Sequence, residues 1–128
     1  MIKTFYKPYA MFILLTFCIL FFFGSCGTGK DLSTPEATVK TLIAASEAKD
    51  KDNLSACFSK NAAGEFQSIV NKTLTDKQLN ELKIFFNGAI ITSSHMEGNN
   101  AVVSLKLNSR EENIALAKEG EQWLILDF

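Results

Sequence analysis

Few side chains in this 128-residue sequence could do chemistry. His95 is the single histidine, and imidazole is the side chain best suited to accept a proton near neutral pH. Asp127 is the carboxylate with the most apolar neighbours, which makes it the best acidic candidate for acid–base catalysis. The alternative for both residues is an ordinary place at the solvated surface.

Metal and phosphate chemistry is poorly supported. A tetrahedral zinc site needs three or four His, Cys or carboxylate ligands, whereas residues 27–128 contain one His and one Cys, Cys57. No Gly-rich phosphate loop precedes a helix, and no Ser stands in a Gly-X-Ser-X-Gly turn. We therefore expect neither a metal nor a cofactor.

The first 25 residues have the pattern of a secretory signal. Lys3 and Lys7 make the start basic, and residues 10–23 form an uncharged run in which Thr16 is the only polar member. As a helix this run would measure ~21 Å, which is shorter than the ~30 Å hydrocarbon core of a bilayer. The length predicts a cleaved signal peptide rather than a membrane-spanning anchor.

Residues 23–26 read Phe-Gly-Ser-Cys, with two small residues before Cys26. This segment resembles the lipobox of bacterial lipoproteins, although that family usually has Leu where Phe23 stands. The resemblance implies that Cys26 is linked to diacylglycerol, that cleavage occurs before it, and that its amine is then acylated. Ordinary cleavage nearby, which would release a domain without lipid, is the alternative.

Lipidation would attach the mature protein to a lipid bilayer without spanning it. Cys57 would then be the only thiol, and we expect it to be a small buried residue. If Cys26 kept its thiol, a Cys26–Cys57 disulfide would become conceivable. Gly27 stands where enterobacterial lipoproteins retained at the inner membrane have Asp, so the resemblance favours the outer membrane in a cell with two membranes.

Composition and length limit the possible partners and the number of domains. The chain is 47% hydrophobic and contains 11 Phe, but the signal accounts for much of this excess. The formal net charge of -1 argues against a nucleic-acid partner, because such proteins need a basic surface. We expect a signal at 1–25, a lipidated Cys and short tether at 26–33, and one domain at 34–128.

Helical patterns fill the first half of this domain. Residues 34–36 read Thr-Pro-Glu, a typical helix start, and apolar residues follow at helical spacing to about residue 49. Asp52 is placed to cap a second short helix, and residues 62–74 suggest a third segment. Thr75 and Gln78 have the spacing of a capping box for a fourth helix.

Strand patterns fill the second half. Four short runs at residues 89–97, 101–108, 112–118 and 123–128 are rich in aliphatic residues or Thr, and turn residues separate them. Short turns predict an antiparallel meander, and helices followed by a sheet predict an α+β domain. Simple alternation in the first run places Ile91 and His95 on one face and Ser94 and Met96 on the other.

The element order resembles the small lipoproteins of the nuclear-transport-factor-two-like, or cystatin-like, superfamily. These domains commonly open with Ser/Thr-Pro-Glu and close with Leu-Val-Lys-Glu-X-Gly-X-Trp-Lys-Ile; residues 116–125 here read Leu-Ala-Lys-Glu-Gly-Glu-Gln-Trp-Leu-Ile. The resemblance covers about residues 33–128. It implies a curved antiparallel sheet wrapped around helices, often with a pocket in the cone, and it implies no particular activity.

We therefore expect a non-catalytic lipoprotein of the cell envelope that binds a small apolar ligand or an envelope protein. Trp123 could line such a ligand site, or it could be a packing residue at the head of the last strand. One alternative is a small isomerase- or dehydratase-like enzyme that uses His95 or Asp127. Isomerase-like members use an Asp base with Tyr or acidic donors, and residues 26–128 contain no Tyr. The other alternative is a structural or inhibitory interaction module.

Overall fold

The computed structural model describes residues 30–128. The helices are α1 (Pro35–Ala48), α2 (Lys51–Cys57), a 3-10 turn (Gly64–Phe66), α3 (Gln67–Val70) and α4 (Asp76–Phe85). The strands are β1 (Ile90–Glu97), β2 (Asn100–Leu107), β3 (Arg110–Glu119) and β4 (Gln122–Asp127). The predicted α+β class, with helices before a four-stranded antiparallel sheet, is confirmed.

Two helix starts follow the local signals in the sequence. The Thr34 hydroxyl accepts a hydrogen bond from the Ala37 amide, and Pro35 occupies the first turn of α1. At α4 the capping box is complete, because Thr75 and Gln78 each accept a hydrogen bond from the backbone amide of the other.

Two predicted boundaries are wrong. Asp50, not Asp52, caps α2, and its carboxylate accepts a hydrogen bond from the Asn53 amide. The cause is Lys49, whose left-handed backbone (φ 55°) ends α1 and turns the chain directly into α2. The segment expected at 62–74 is a 3-10 turn followed by the four-residue α3 rather than one helix.

The sheet is a meander in the order β1-β2-β3-β4. Each hairpin loop begins with a residue of positive φ, namely Gly98 (62°), Asn108 (44°) and Gly120 (64°). Tight hairpin loops need this backbone region to match the twist of their strands, and Gly and Asn adopt it most readily. The predicted turns at these three places are confirmed.

One face of the sheet carries the core. Inward-facing residues of β2, β3 and β4 are buried against the helices, and α1 lies against β1, β2 and β4. The fully buried side chains include Val39, Leu42, Leu54, Cys57, Val103, Leu105, Ile114, Leu116 and Ile125. The interior side of the sheet is filled by packed side chains.

A bulge in β1 overturns the simple alternation expected there. Ile91 pairs with Leu105 and Ser94 pairs with Val103, whereas Thr92 has no partner in the register. The extra residue shifts the pattern by one, so Ile91 and Ser94 share the inner face. His95 pairs with Val102 on the outer face and therefore does not share a face with Ile91.

The folded part begins before the boundary predicted at residue 34. Leu32 is 5% exposed and belongs to the core, and its carbonyl accepts a hydrogen bond from the Trp123 amide at 2.8 Å. Asp31 is held by Thr41, whose hydroxyl donates to the Asp31 carbonyl. Residues 31–33 are thus docked on the domain and do not act as a tether.

Cys26 and the signal at 1–25 lie outside the described residues. No helix of residues 30–128 is long and apolar enough to cross a membrane.

Candidate functional site

The two catalytic candidates do not meet. The register links His95 to Val102, Val102 to Ala115, and Ala115 to Asp127, so His95 and Asp127 lie in one row across the outer face. They stand on the two edge strands, three strand spacings or ~14 Å apart. Both side chains are exposed. This separation does not allow one bound substrate to contact both groups at hydrogen-bonding distance.

Trp123 lies in the core. Its side chain is 5% exposed and packs among the buried residues on the inner face of β4. Its backbone donates to Leu32 and accepts a hydrogen bond from the Thr38 hydroxyl at 2.7 Å. The residue therefore fixes the start of the domain and α1 to the last strand.

Cys57 is fully buried in α2. Burial raises the pKa of its thiol to about 12, against a small opposing effect of Lys30. The thiolate, which is the reactive form, is therefore strongly disfavoured. Within residues 30–128, no three His, Cys, Asp or Glu side chains come close enough to hold a metal ion.

The candidate site is a groove between α1 and α4, which we call the α1–α4 groove. It has a volume of about 470 Å³, and the turn between α4 and β1 forms part of its lining. The lining residues are Ile43 and Glu47 of α1, Asn80, Lys83 and Ile84 of α4, and Phe86, Asn87, Gly88 and Ala89 of the turn. Its apolar surface comes from Ile43, Ile84, Phe86 and Ala89.

A second, shallower groove continues from the first along α1. It has a volume of about 400 Å³, is lined by Lys40, Ala44 and Ile91, and shares Ile43, Glu47 and Ala89 with the α1–α4 groove. The two grooves together form one apolar trough beside β1. Lys40, Glu47 and Lys83 bring charged groups to it.

The charges along this trough are free to meet a ligand. Among residues 30–128, ion pairs within 4.0 Å join only Lys72 to Asp52 and Arg110 to Glu112. Lys40, Glu47 and Lys83 are all exposed. The trough therefore combines apolar side chains with a few charged ones, which is the usual composition of a small-molecule site.

Glu36 lies near the far end of β1. A hydrogen bond from the Ser94 side chain holds the pKa of the Glu36 carboxyl below its usual range, with help from the Glu36 backbone amide, Thr34 and Lys40. Glu36 follows Pro35 in the first turn of α1, where the helix dipole also favours a negative charge.

The groove has only a partial signal in the amino-acid sequence. Ile43 belongs to the apolar stripe of α1, a pattern typical of a core face, although Ile43 itself is only partly buried. Ile84 falls outside the stripe formed by Leu79, Leu82 and Phe86, and it is 66% exposed. A large aliphatic residue outside the core stripe of an amphipathic helix indicates a surface that can bind something, and Ile84 is such a residue.

Comparison with known proteins identifies no family. No family model and no curated protein matches the chain. Two solved structures are similar to it. The solution structure of a SEC-C motif containing protein from Rhodopseudomonas palustris is 13% identical, with a TM-score of 0.48, over 73% of this chain and 75% of that one. A designed protein of the nuclear-transport-factor-two-like type is 18% identical, with a TM-score of 0.46, over 69% of this chain and 88% of that one.

Proposed function

We propose that this chain is a non-catalytic lipoprotein of the bacterial cell envelope that holds a small apolar ligand in the α1–α4 groove. The groove itself carries the proposal. Its volume of about 470 Å³ falls within the range of small-molecule sites, ~300–1,000 Å³. The ~14 Å that separate His95 from Asp127 support a binding role over catalysis by that pair.

The ligand chemistry follows from the lining. Ile43, Ile84, Phe86 and Ala89 offer apolar contact, while Asn80 and Asn87 add amides that can orient one polar group. The continuation of the trough along α1 favours an elongated molecule over a compact one. An elongated apolar molecule with one polar end fits this arrangement.

Anchoring is the second half of the proposal. Cys26 would carry the acyl chains, and the resemblance to bacterial lipoproteins, with Gly27 after the Cys, favours the outer membrane where a cell has two. Asp31 and Leu32 are already docked on the domain, so only residues 27–30 separate the lipid from the folded part. Five residue steps from Cys26 to Asp31 reach at most ~18 Å, which would hold the domain near the bilayer surface.

The anchor is tested by labelling cells with radioactive palmitate. Wild-type protein should incorporate label and fractionate with membranes, whereas Cys26→Ala should incorporate none. Cys57→Ala serves as the matched control, because it removes a cysteine that the proposal leaves unlipidated. Equal labelling of the wild type and Cys26→Ala would refute the anchoring half.

The groove is tested by titration with N-phenyl-1-naphthylamine, a neutral probe that fluoresces in apolar surroundings. Ile84→Ser should weaken binding about five-fold, since the contact removes roughly 40 Å² of apolar surface from water, or ~1 kcal/mol. Ile90→Ser is the matched control, because Ile90 is 63% exposed but lies outside the groove. Equal binding by both variants would contradict the assignment of the site.

A further inference from the structure

A second cleft lies at a cluster of aromatic rings, apart from the α1–α4 groove. All five phenylalanines of residues 27–128 meet there, namely Phe58, Phe66, Phe85, Phe86 and Phe128. Phe128 joins the cluster, with its ring centroid 4.7 Å from that of Phe66, 5.6 Å from Phe86 and 6.0 Å from Phe85. We call this group the phenylalanine cluster.

The cleft opens beside three of these rings. It has a volume of about 260 Å³, and Phe66, Phe85 and Phe128 contribute to its lining. Phe66 is buried, whereas Phe85 and Phe128 are only partly buried and so leave part of their rings accessible. A volume this small suits a molecule of about one ring and a compact head group.

The charged residues that line the cleft all have one sign. Glu65 and Glu81 line it, and no Lys, Arg or His does. Neither carboxylate has a cationic partner within 4.0 Å in the part of the chain that the structure describes. Accessible aromatic rings beside two unpaired carboxylates favour a cation, because the face of a ring and a carboxylate both attract positive charge.

One cationic side chain already contacts the phenylalanine cluster. The Arg110 guanidinium carbon lies 4.6 Å from the centroid of the Phe85 ring, although Arg110 does not line the cleft. Arg110 instead lines the neighbouring surface groove, which shares Phe85 and Glu81 with the cleft. The same ring thus makes a cation–π contact on one side of the cleft and offers the cleft its remaining accessible surface.

We propose that the cleft at the phenylalanine cluster binds a small organic cation, an ammonium or quaternary ammonium group attached to one apolar ring or short chain. The apolar part packs on Phe66 and Phe128, and the charged head lies near Glu65 and Glu81. The site is separate from the α1–α4 groove and does not depend on the function proposed for that groove.

Equilibrium dialysis with radiolabelled benzyltrimethylammonium tests the proposal on the mature protein in neutral detergent. We expect saturable binding that Glu65→Gln and Glu81→Gln each weaken about three-fold, and the double variant about ten-fold. Glu97→Gln is the matched control, since this exposed carboxylate of β1 lies outside the cleft. Neopentylbenzene, which replaces the charged nitrogen by carbon, should compete at least ten-fold less well.

Three results would overturn the proposal: no saturable binding below ~10 mM, unchanged binding by the Glu65→Gln/Glu81→Gln variant, or equal competition by neopentylbenzene. The thermal unfolding midpoint of each variant shows whether a loss of binding comes from a loss of folding. Ile84→Ser should leave cation binding unchanged, so that a failure here and a failure of the α1–α4 groove are distinguishable.

Discussion

The hydroxyl of Thr38 donates a hydrogen bond of 2.7 Å to the backbone carbonyl of Trp123, and both residues are buried. The bond joins the first helix to the last strand. Two backbone hydrogen bonds also join the helical half to this strand. The Ser59 amide donates to the Ile125 carbonyl, and the Ala63 amide donates to the Leu126 carbonyl. The outer edge of β4 is therefore covered by the chain itself, which protects an edge strand from pairing with other molecules.

Replacement of Thr38 by Val should destabilise the fold. The side chain keeps its shape, but the buried Trp123 carbonyl loses its hydroxyl donor, at a cost of about 1–3 kcal/mol. Urea unfolding measures the change. Thr92→Val is the control, because the Thr92 hydroxyl donates to the Ser104 carbonyl at an exposed site and its loss should cost less than about 0.5 kcal/mol. Equal losses of unfolding free energy in the two variants would show that the buried Thr38 hydrogen bond contributes no more to stability than the exposed one.

Leu32→Ala should also destabilise the fold, although Leu32 precedes every helix and strand described. Its side chain is 5% exposed within the core, and removal of a buried leucine side chain costs about 2–5 kcal/mol. We expect the lower end of that range because the site lies near the edge of the domain. Lys30→Ala, two residues earlier and exposed, should leave the free energy of unfolding unchanged. If both variants unfold like the wild type, residues 31–33 act as tether.

These long-range contacts explain why some features could be predicted from the sequence and others could not. The capping box of Thr75 and Gln78 and the turns at Gly98 and Gly120 depend on a few neighbouring residues, so their residue types predict them. The docking of Leu32 depends on a strand near the other end of the chain. Nothing in the residues around position 32 specifies that contact.

The candidate site also depends on long-range contacts that neighbouring residues do not specify. The bulge at Thr92 arises from the pairing of β1 with β2, so the alternation within β1 alone assigned His95 to the wrong set of neighbours. The row that His95 and Asp127 share depends on the register of three strand pairings, including two register shifts, and local residue patterns do not specify that register. Ile84 stood outside the apolar stripe of α4, but the groove it lines also requires α1 and the turn before β1.

Cys57 should be inert in the folded protein. Burial raises the pKa of its thiol to about 12, so the thiolate fraction at pH 8 is negligible and the sulfur is inaccessible. Ellman's reagent should therefore label the detergent-extracted protein only after denaturant is added, with one thiol per chain if Cys26 is lipidated. Fast labelling without denaturant would contradict the burial of Cys57, and two thiols after unfolding would contradict lipidation.

Ser94→Ala should raise the pKa of the Glu36 carboxyl toward its ordinary value, because the main hydrogen bond that stabilises the carboxylate is removed. Carbon-detected NMR titration of the Glu36 carboxyl measures this shift directly. Ser93→Ala is the matched control, since Ser93 pairs with Ser104 on the opposite face of the same strand. Equal Glu36 pKa values in the wild type and Ser94→Ala would contradict the contact.

The same pair predicts a small pH dependence of stability. The folded-state pKa of Glu36 lies below its unfolded value, so the contact stabilises the fold above the unfolded-state pKa. This stabilisation is lost as the pH falls through the folded-state pKa. Because the Glu36 side chain is only partly buried and water screens its interactions, the effect should be only a few tenths of a kcal/mol. The difference in unfolding free energy between the wild type and Ser94→Ala should therefore be largest at neutral pH and should shrink in acid, whereas Ser93→Ala should show no such trend.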